Sequence, residues 1–460
     1  MNSLSFNNLS FIYDGSSQAV FQDISLQIYR GWTGIVGKSG AGKTTLAKVI
    51  AQNAKIPSYY AEQRTDNAPQ NAKDFINAAD KEAVLTRGRL DIKDDWVDKW
   101  DKLSHGERKR LQIGAALYEN PELLIIDEPT NHLDAQARDY LISALEKYGG
   151  FGLLISHDRE LLDRLCKRTI FVEDGGADIR ANAYSIAASE RENERHFAEK
   201  RRDIHSKEIK KLEKMTQARR EKAEQSRKRI SKRGIDPKDS DMKERIGRAI
   251  VSGKDAVDTN ILSRFQSRLR QSEAKMEAIA ARYETGVTIE AGRYAKLFPI
   301  NFENRAIEEH SRIGIFGRNG SGKSRFVERF VKSREWSAGE ALYLPQEIDA
   351  DKSAKLLENI KKMKNDEKGF LMSLIVRLGS DPKTLLQSSS PSPGETRKLL
   401  FSLGLLQKPA LVIMDEPTNH LDIISIEALE NALKSYNGAL LLVSHDRRFL
   451  ANVTNEIWQF

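Results

Sequence analysis

Short apolar runs dominate the hydrophobic pattern, and they come in matched pairs along the chain. Trp32–Val36 and Arg312–Phe316 each read as a buried strand entering a glycine-rich turn, followed by helix-like sequence. The runs Leu123-Leu-Ile-Ile126 and Leu411-Val-Ile-Met414 read as buried strands ending on two carboxylates. Gly152–Ile155 and Ala439–Val443 form a third pair. Strands alternating with helical sequence predict an α/β class. Between the two sets the pattern changes. Glu190–Arg233 contains no glycine or proline and predicts a charged helix, which would span roughly 65 Å at about 1.5 Å per residue. Gly234-Ile-Asp-Pro-Lys-Asp-Ser240 breaks it. Beyond that, Leu262, Phe265, Leu269, Ser272, Met276, Ile279 and Tyr283 alternate spacings of three and four, a coiled-coil seam on a return helix. With a connection near Ser231–Gly253, the middle of the chain predicts a projecting helical hairpin.

The repeat extends beyond hydrophobicity. Leu123 to Asp134 (LLIIDEPTNHLD) recurs as Leu411 to Asp422 (LVIMDEPTNHLD), 288 residues on. Ser156-His-Asp-Arg159 and Ser104-His-Gly-Glu107 recur at the same offset, as Ser444-His-Asp-Arg447 and Ser392-Pro-Gly-Glu395. A glycine-rich loop recurs at an offset of 280. Four motifs in one order mean two copies of one domain. The predicted domains are 1–185 and 285–460 for the copies, and 186–284 for a helical linker between them.

Charge sharpens the picture of the linker. The 460 residues carry a net +8, yet Glu190–Tyr283 holds 27 Lys/Arg against 17 Asp/Glu, a net +10, which leaves the rest at −2. Clustered cations release counterions from phosphate backbones, so the linker is a candidate polyanion-binding arm rather than a plain spacer. Its strongest cluster, Arg227, Lys228, Arg229, Lys232 and Arg233, lies at the far end of the predicted helix, where a spacer has no need of charge. No apolar run approaches the roughly 18–20 residues of a membrane span. Met1–Phe11 lacks the pattern of a signal peptide, and the single Cys166 excludes a disulfide framework or a zinc site built on paired cysteines. A cytoplasmic protein with no membrane partner is expected.

The loops themselves carry phosphate chemistry. Gly37-Lys38-Ser39-Gly40-Ala41-Gly42-Lys43-Thr44 and Gly317-Arg318-Asn319-Gly320-Ser321-Gly322-Lys323-Ser324 match Gly, four residues, then Gly-Lys-Ser/Thr. Glycines let backbone N–H groups curl round phosphates at a helix N-terminus. Lys43 and Lys323 are placed for the β and γ phosphates, and Thr44 and Ser324 for Mg²⁺. In Asp127-Glu128 and Asp415-Glu416, the aspartate suits Mg²⁺ through water and the glutamate suits the attacking water. His157 and His445 each follow their glutamate by 29 residues and are candidate γ-phosphate sensors. Gln63 and Gln346 are candidates to sense Mg²⁺ and that water. The cofactors expected are ATP and Mg²⁺.

This order of motifs resembles the ATP-binding cassette superfamily. Two cassettes in one chain, both with Glu-Pro-Thr-Asn-His-Leu-Asp, a basic linker and no membrane segment, look like its ABC-F subfamily, whose characterised members are mostly ribosome-associated ATPases. The resemblance implies two cassettes joined by a coiled-coil hairpin linker and closing head to tail as a monomer with two ATP molecules between them. Lys43, Gln63, Asp127, Glu128 and His157 would work with Ser392, Gly394 and Glu395. Lys323, Gln346, Asp415, Glu416 and His445 would work with Ser104, Gly106 and Glu107. Some residues depart from the pattern. His105 and Pro393 replace the first glycine of the usual signature, and Arg325 stands where Thr45 stands in the first copy, losing a possible α-phosphate hydroxyl. Tyr13 is placed to stack on adenine. Tyr294 fits its spacing, but Lys296–Glu309 reads poorly as the usual hairpin. Family linkers reach from the tRNA exit site toward the peptidyl-transferase centre and P-site tRNA. This one is similar to linkers of antibiotic-resistance ribosomal protection members, which act on lincosamides, pleuromutilins and streptogramins A. A housekeeping factor for stalled ribosomes is the alternative within the family. A fused transporter ATPase or a DNA-repair ATPase are alternatives outside it.

Overall fold

A computed structural model describes residues 2–131, 133–173, 175–230, 263–270, 272, 291–292, 297–337, 339–348, 356–358, 360, 362–380, 382, 385 and 391–460. It divides into two compact units, Met1–Ala187 with Tyr283–Phe460, and Ala188–Arg282.

The first unit holds both copies. In the first, β1 (Ser3–Ile12) and β2 (Ala19–Tyr29) form an antiparallel hairpin. Next come β3 (Gly31–Gly37), α1 (Lys43–Asn53), β4 (Ser58–Ala61), α2 (Ala72–Asn77), α3 (Lys81–Arg89), α4 (His105–Glu119) and β5 (Leu123–Asp127). The copy continues through α5 (Ala135–Leu145), β6 (Phe151–Ile155), α6 (Arg159–Leu165), β7 (Cys166–Glu173) and β8 (Gly176–Arg180). Its sheet runs β4-β5-β6-β3-β7-β8, parallel except for β8. Every residue of β5 and β6 is buried, as expected of inner parallel strands covered on both faces.

The second copy repeats this plan, after α7 (Tyr184–Ile230). It comprises β9 (Ile300–Phe302), β10 (Arg305–Ile307), β11 (Arg312–Phe316), α8 (Lys323–Lys332), β12 (Ala341–Leu344), α9 (Asn365–Arg377) and α10 (Pro393–Leu406). It ends with β13 (Leu411–Asp415), α11 (Ile423–Ser435), β14 (Ala439–Val443), α12 (Arg447–Val453) and β15 (Glu456–Gln459). The five-stranded order β12-β13-β14-β11-β15 matches β4-β5-β6-β3-β7 of the first copy, without a counterpart of β8 among the described residues. Two readings are corrected here. Within the segment that read poorly as a hairpin, Ile300–Phe302 and Arg305–Ile307 do pair as one, with Ile300 opposite Ile307 and both buried. The linker helix also starts earlier than Glu190, at Tyr184, because Tyr184 and Ala187 are buried in the cassette unit.

The second unit contains most of α7, on which Ile209 and Leu212 are buried among exposed charge. Residues 263–270 are helical. Among the predicted seam positions, Phe265 and Leu269 are half-buried and Ser272 is buried, while the other residues of 263–270 are exposed. Arg227, Lys228 and Arg229 fall in the last turns of α7. Lys232, Arg233, the remaining seam residues, the hairpin tip and Tyr294 lie outside the described residues.

Candidate active site

Each glycine-rich loop joins an inner strand of its sheet to a helix that no side chain caps. Gly42 (φ 91°) and Gly322 (φ 96°) occupy the N-cap in the left-handed region, which favours glycine, and Gly40 and Gly320 repeat that conformation. A Cβ at Gly42 would also lie 2.5 Å from Val20 Cγ1. The result is two helix N-termini with backbone N–H groups turned to one face, a ready anion site. Lys43 Nζ donates to the carbonyls of Gly37 and Lys38 (2.9 Å each), and Lys323 Nζ to those of Gly317 (2.9 Å) and Arg318 (2.7 Å). The two ammonium groups thus lie inside their loops, and burial lowers the pKa of both.

Thr44 Oγ1 donates to Asp127 Oδ2 (2.8 Å), and Tyr60 donates to the same oxygen (2.9 Å). Ser324 bonds Asp415 in the same way, and Asp415 Oδ1 is buried without a hydrogen-bond partner among the described residues. A hydroxyl and a carboxylate, both hard oxygen donors, fit Mg²⁺, which takes one or two protein carboxylates and completes its shell with phosphates and water. Glu128 (φ 46°) and Glu416 (φ 47°) both adopt the left-handed region, a strained backbone at matching places. Each faces its histidine. His157 Nε2 lies 3.2 Å from Glu128 Oε1, and His445 Nε2 lies 3.5 Å from Glu416 Oε1. Desolvation, with the neighbouring aspartate, pushes both glutamates up to about 8. Burial, then the nearby lysine, pulls His157 down to about 3 and His445 to about 4. Both imidazoles are therefore neutral at pH 7.

The copies meet here. A cavity of about 1000 Å³ is lined by Gly320, Gly322, Lys323, Ser324, Arg325, Gln346, Glu416 and His445 of the second copy and by Ser104, Gly106 and Glu107 of the first. It extends to Ser39, Gly40, Lys43, Thr44, Gln63, Asp127, Glu128 and His157. Ser104 caps α4 through a capping box with Glu107, and Ser392 caps α10 identically with Glu395. Pro393 fits because it occupies the first helical turn, where its missing N–H has no partner to lose. Ser392, Gly394 and Glu395 do not line this cavity. Their copy reaches the first loop instead through Asp422 Oδ2, which accepts from Ser39 N (2.7 Å). Asp134 Oδ2 makes the reciprocal contact with Asn319 N (3.3 Å). Tyr13 presents an exposed ring beside the first loop, its hydroxyl 2.8 Å from Thr45 Oγ1.

Three pairs of contributors were missed in the sequence. Asp134 and Asp422 end the duplicated Asn-His-Leu-Asp stretch, and that repetition was the available signal. Lys109 and Arg397, also 288 apart, are buried cations whose role no short motif announces. Arg159 pairs bidentately with Glu430 across the two copies, both nearly fully buried.

An ABC transporter family profile matches residues 21–62, 56–131 and 301–419, half of the chain. ATP-binding protein Uup of Buchnera aphidicola is 27% identical over 93% of this chain and 75% of its own. The ribosome protection protein VmlR of Bacillus subtilis is 28% identical over 96% of this chain and 84% of its own. The probable ATP-binding protein YheS of Escherichia coli K12 is 28% identical over 92% and 74%. Among solved structures, an archaeal ribosome recycling factor in complex with a ribosomal stalk protein covers 98% of this chain and 87% of its own, with a TM-score of 0.60 and 17% identity. Among the described residues no helix is long and apolar enough to cross a membrane. Paired phosphate loops, matched carboxylates and signature turns shared between the copies agree with that profile, and the chain belongs to the ABC transporter family as a paired-cassette ATPase of its ABC-F branch.

Proposed function

We propose that this ATPase binds the ribosome from the cytoplasm and protects it from drugs of the peptidyl-transferase region, of the lincosamide, pleuromutilin and streptogramin A types. The observation that carries this reading is similarity along 96% of the chain to a ribosome protection protein. The net +10 of the linker supports it, since ribosomal RNA and P-site tRNA are polyanions. In this reading ATP closes the cassettes and the linker inserts near P-site tRNA. Arg227, Lys228, Arg229, Lys232 and Arg233 hold the arm on phosphates.

Within the site, Lys43 and Lys323 with their loop N–H groups bind the phosphates, and Tyr13 stacks on one adenine. Mg²⁺, held by Thr44, Asp127 and Gln63 in one site and by Ser324, Asp415 and Gln346 in the other, would neutralise phosphate charge. Glu128 and Glu416 orient the attacking water and take its proton, while His157 and His445, neutral, hold those carboxyls toward the γ-phosphate. Ser104, Gly106 and Glu107, or Ser392, Gly394 and Glu395, complete each site from the opposite cassette. Closure then depends on the γ-phosphate, and its loss releases the pair.

Uup and YheS match at 27% and 28% identity against 28% for VmlR, which favours a second reading as a housekeeping factor for stalled ribosomes. Expression in a drug-hypersensitive bacterium separates the two. Protection predicts a raised inhibitory concentration for the three drug types, lost on replacing the five basic linker residues with Gln. Each lost phosphate contact should flatten the logarithmic salt slope of ribosome binding by about 0.7–0.9. Unchanged drug sensitivity with ATP-dependent co-sedimentation on ribosomes indicates the housekeeping role. Co-sedimentation with membranes or DNA but not ribosomes refutes both.

A further inference from the structure

Lys109 lies one turn inside α4, whose N-terminus carries Ser104, Gly106 and Glu107 in the cavity with Lys323. Its side chain points elsewhere. Lys109 Nζ donates to the carbonyls of Glu62 (2.6 Å), Asp127 (3.1 Å) and Gln63 (3.4 Å), all in its own cassette. An ammonium has three donors, and here three carbonyl oxygens take them. The residue is 3% exposed, so this charge stays buried only because those oxygens satisfy it. The second copy repeats the device with different chemistry. Arg397, at the equivalent place on α10 and 4% exposed, donates to the carbonyls of Gln346 (2.6 Å), Asp415 (3.4 Å) and Glu416. Two different cations holding the same two equivalent carbonyls, of Gln63 and Asp127 in one copy and of Gln346 and Asp415 in the other, point to a requirement on the backbone they hold.

From this geometry we infer that Lys109 and Arg397 are positioning residues that couple the two nucleotide sites. The first turn of α4 bridges the two sites. Its N-cap faces the phosphate of the Lys323 site, and one turn later Lys109 grips the backbone that carries Gln63, Asp127 and Glu128 of the Lys43 site. A pull on Ser104 by phosphate in one site is thereby delivered to the glutamine and glutamate backbone of the other. α10 and Arg397 carry the same signal in the opposite direction. No side chain of the pair touches reacting atoms, so their effect falls on kcat through the placement of Glu128 and Glu416. This inference rests on the proposed assignment of Ser104 and Glu128 to opposite sites.

A double-mutant cycle on the full chain tests it, with steady-state ATPase as the readout. Lys109→Met should lower kcat by about tenfold with KM moved less than about twofold, and Lys109→Arg should restore most of the rate, as Arg397 does naturally. Because Ser104 and Lys109 act on one path, Ser104→Ala with Lys109→Met should be no slower than the worse single variant by more than about twofold. Multiplied losses, or a raised KM with kcat kept, would overturn the coupling. Loss of folding in Lys109→Met is recognised by its melting temperature, and then Lys109→Arg and Lys109→Gln carry the cycle. A normal rate in Glu128→Gln would instead show that the site assignment had failed, separately from the coupling.

Discussion

Arg159→Met offers the sharpest test of how the cassettes hold each other. Arg159 Nη1 donates to Glu430 Oε2 at 3.1 Å and Nη2 donates to Oε1, with side chains 2% and 6% exposed. Among the described residues Glu430 has one other hydrogen-bond partner, Asn452 Nδ2 at 3.1 Å. Removing the guanidinium leaves a buried carboxylate with one amide, and breaking a buried pair this way costs about 3–5 kcal/mol. At about 1.4 kcal/mol per decade, that shifts cassette closing by roughly two to three and a half orders of magnitude. The matching arginine of the second copy provides an internal control. Arg447 lies 3.6 Å from Asp139 with both side chains nearly half exposed, a contact worth at most about 1 kcal/mol. Steady-state ATPase should show kcat/KM falling at least about tenfold for Arg159→Met and less than about threefold for Arg447→Met. Arg159→Met with Glu430→Leu should recover most of the loss, since an apolar pair of similar volume replaces buried ions at little cost. A double variant worse than Arg159→Met, or equal effects at Arg159 and Arg447, would refute the reasoning.

Glu128→Gln with Glu416→Gln should keep ATP binding and slow hydrolysis by at least about 10²-fold, measured by filter binding and phosphate release; normal turnover would remove both glutamates from the chemistry. Asp422→Asn keeps the helix cap but turns an amide toward Ser39 N, so it should cost about tenfold in rate, and more than Asp134→Asn, whose bond is longer (3.3 against 2.7 Å). A larger effect at Asp134 would contradict this ranking. With both histidines neutral and both glutamates raised to about 8, the base form of each glutamate grows as pH climbs through that value. The ratio kcat/KM should therefore rise from about pH 6 to about pH 8.5 with no step near 6.5, and a step there that vanishes in His157→Gln with His445→Gln would show a titrating imidazole.

What was legible in the sequence was local. Arg312–Phe316 and Ala439–Val443 are strands with the boundaries read from the apolar run, because strands buried on both faces carry no polar interruption. Ser104-x-Gly-Glu107 and its copy could be read as helix starts because the capping box closes within four residues. The hairpin β9–β10 escaped notice because its strands have three residues each, too few for alternation to show. Tyr184 gave no sign that the linker helix begins inside the cassette unit, since a tyrosine packed beside an acidic partner (its hydroxyl is 2.8 Å from Glu427) looks like any loop residue. Contacts between the copies were illegible for a different reason. Ser39 meets Asp422 across 383 positions and Arg159 meets Glu430 across 271, and no periodicity spans such separations.

The two kinds of residue have also diverged differently, and that bears on where the sites differ. Strand-end carboxylates, the strained glutamate and its histidine are alike in both copies, down to matching backbone bonds from His157 N and His445 N to their glutamates at 3.3 Å. Differences gather around the loops and where the copies touch. Thr45 has a tyrosine hydroxyl for a neighbour while Arg325 lines the cavity, and Arg159 is buried against Glu430 while Arg447 is half exposed. Asp422 and Asp134 hold the opposite loops at different lengths, and Lys109 and Arg397 grip the matching glutamine and aspartate carbonyls with different cations, each adding a third carbonyl that its counterpart does not hold. The chemical groups are equal and their means of assembly are not. Asymmetry between the two ATP sites should therefore reside in how readily each closes, with the bond-breaking step itself alike in both.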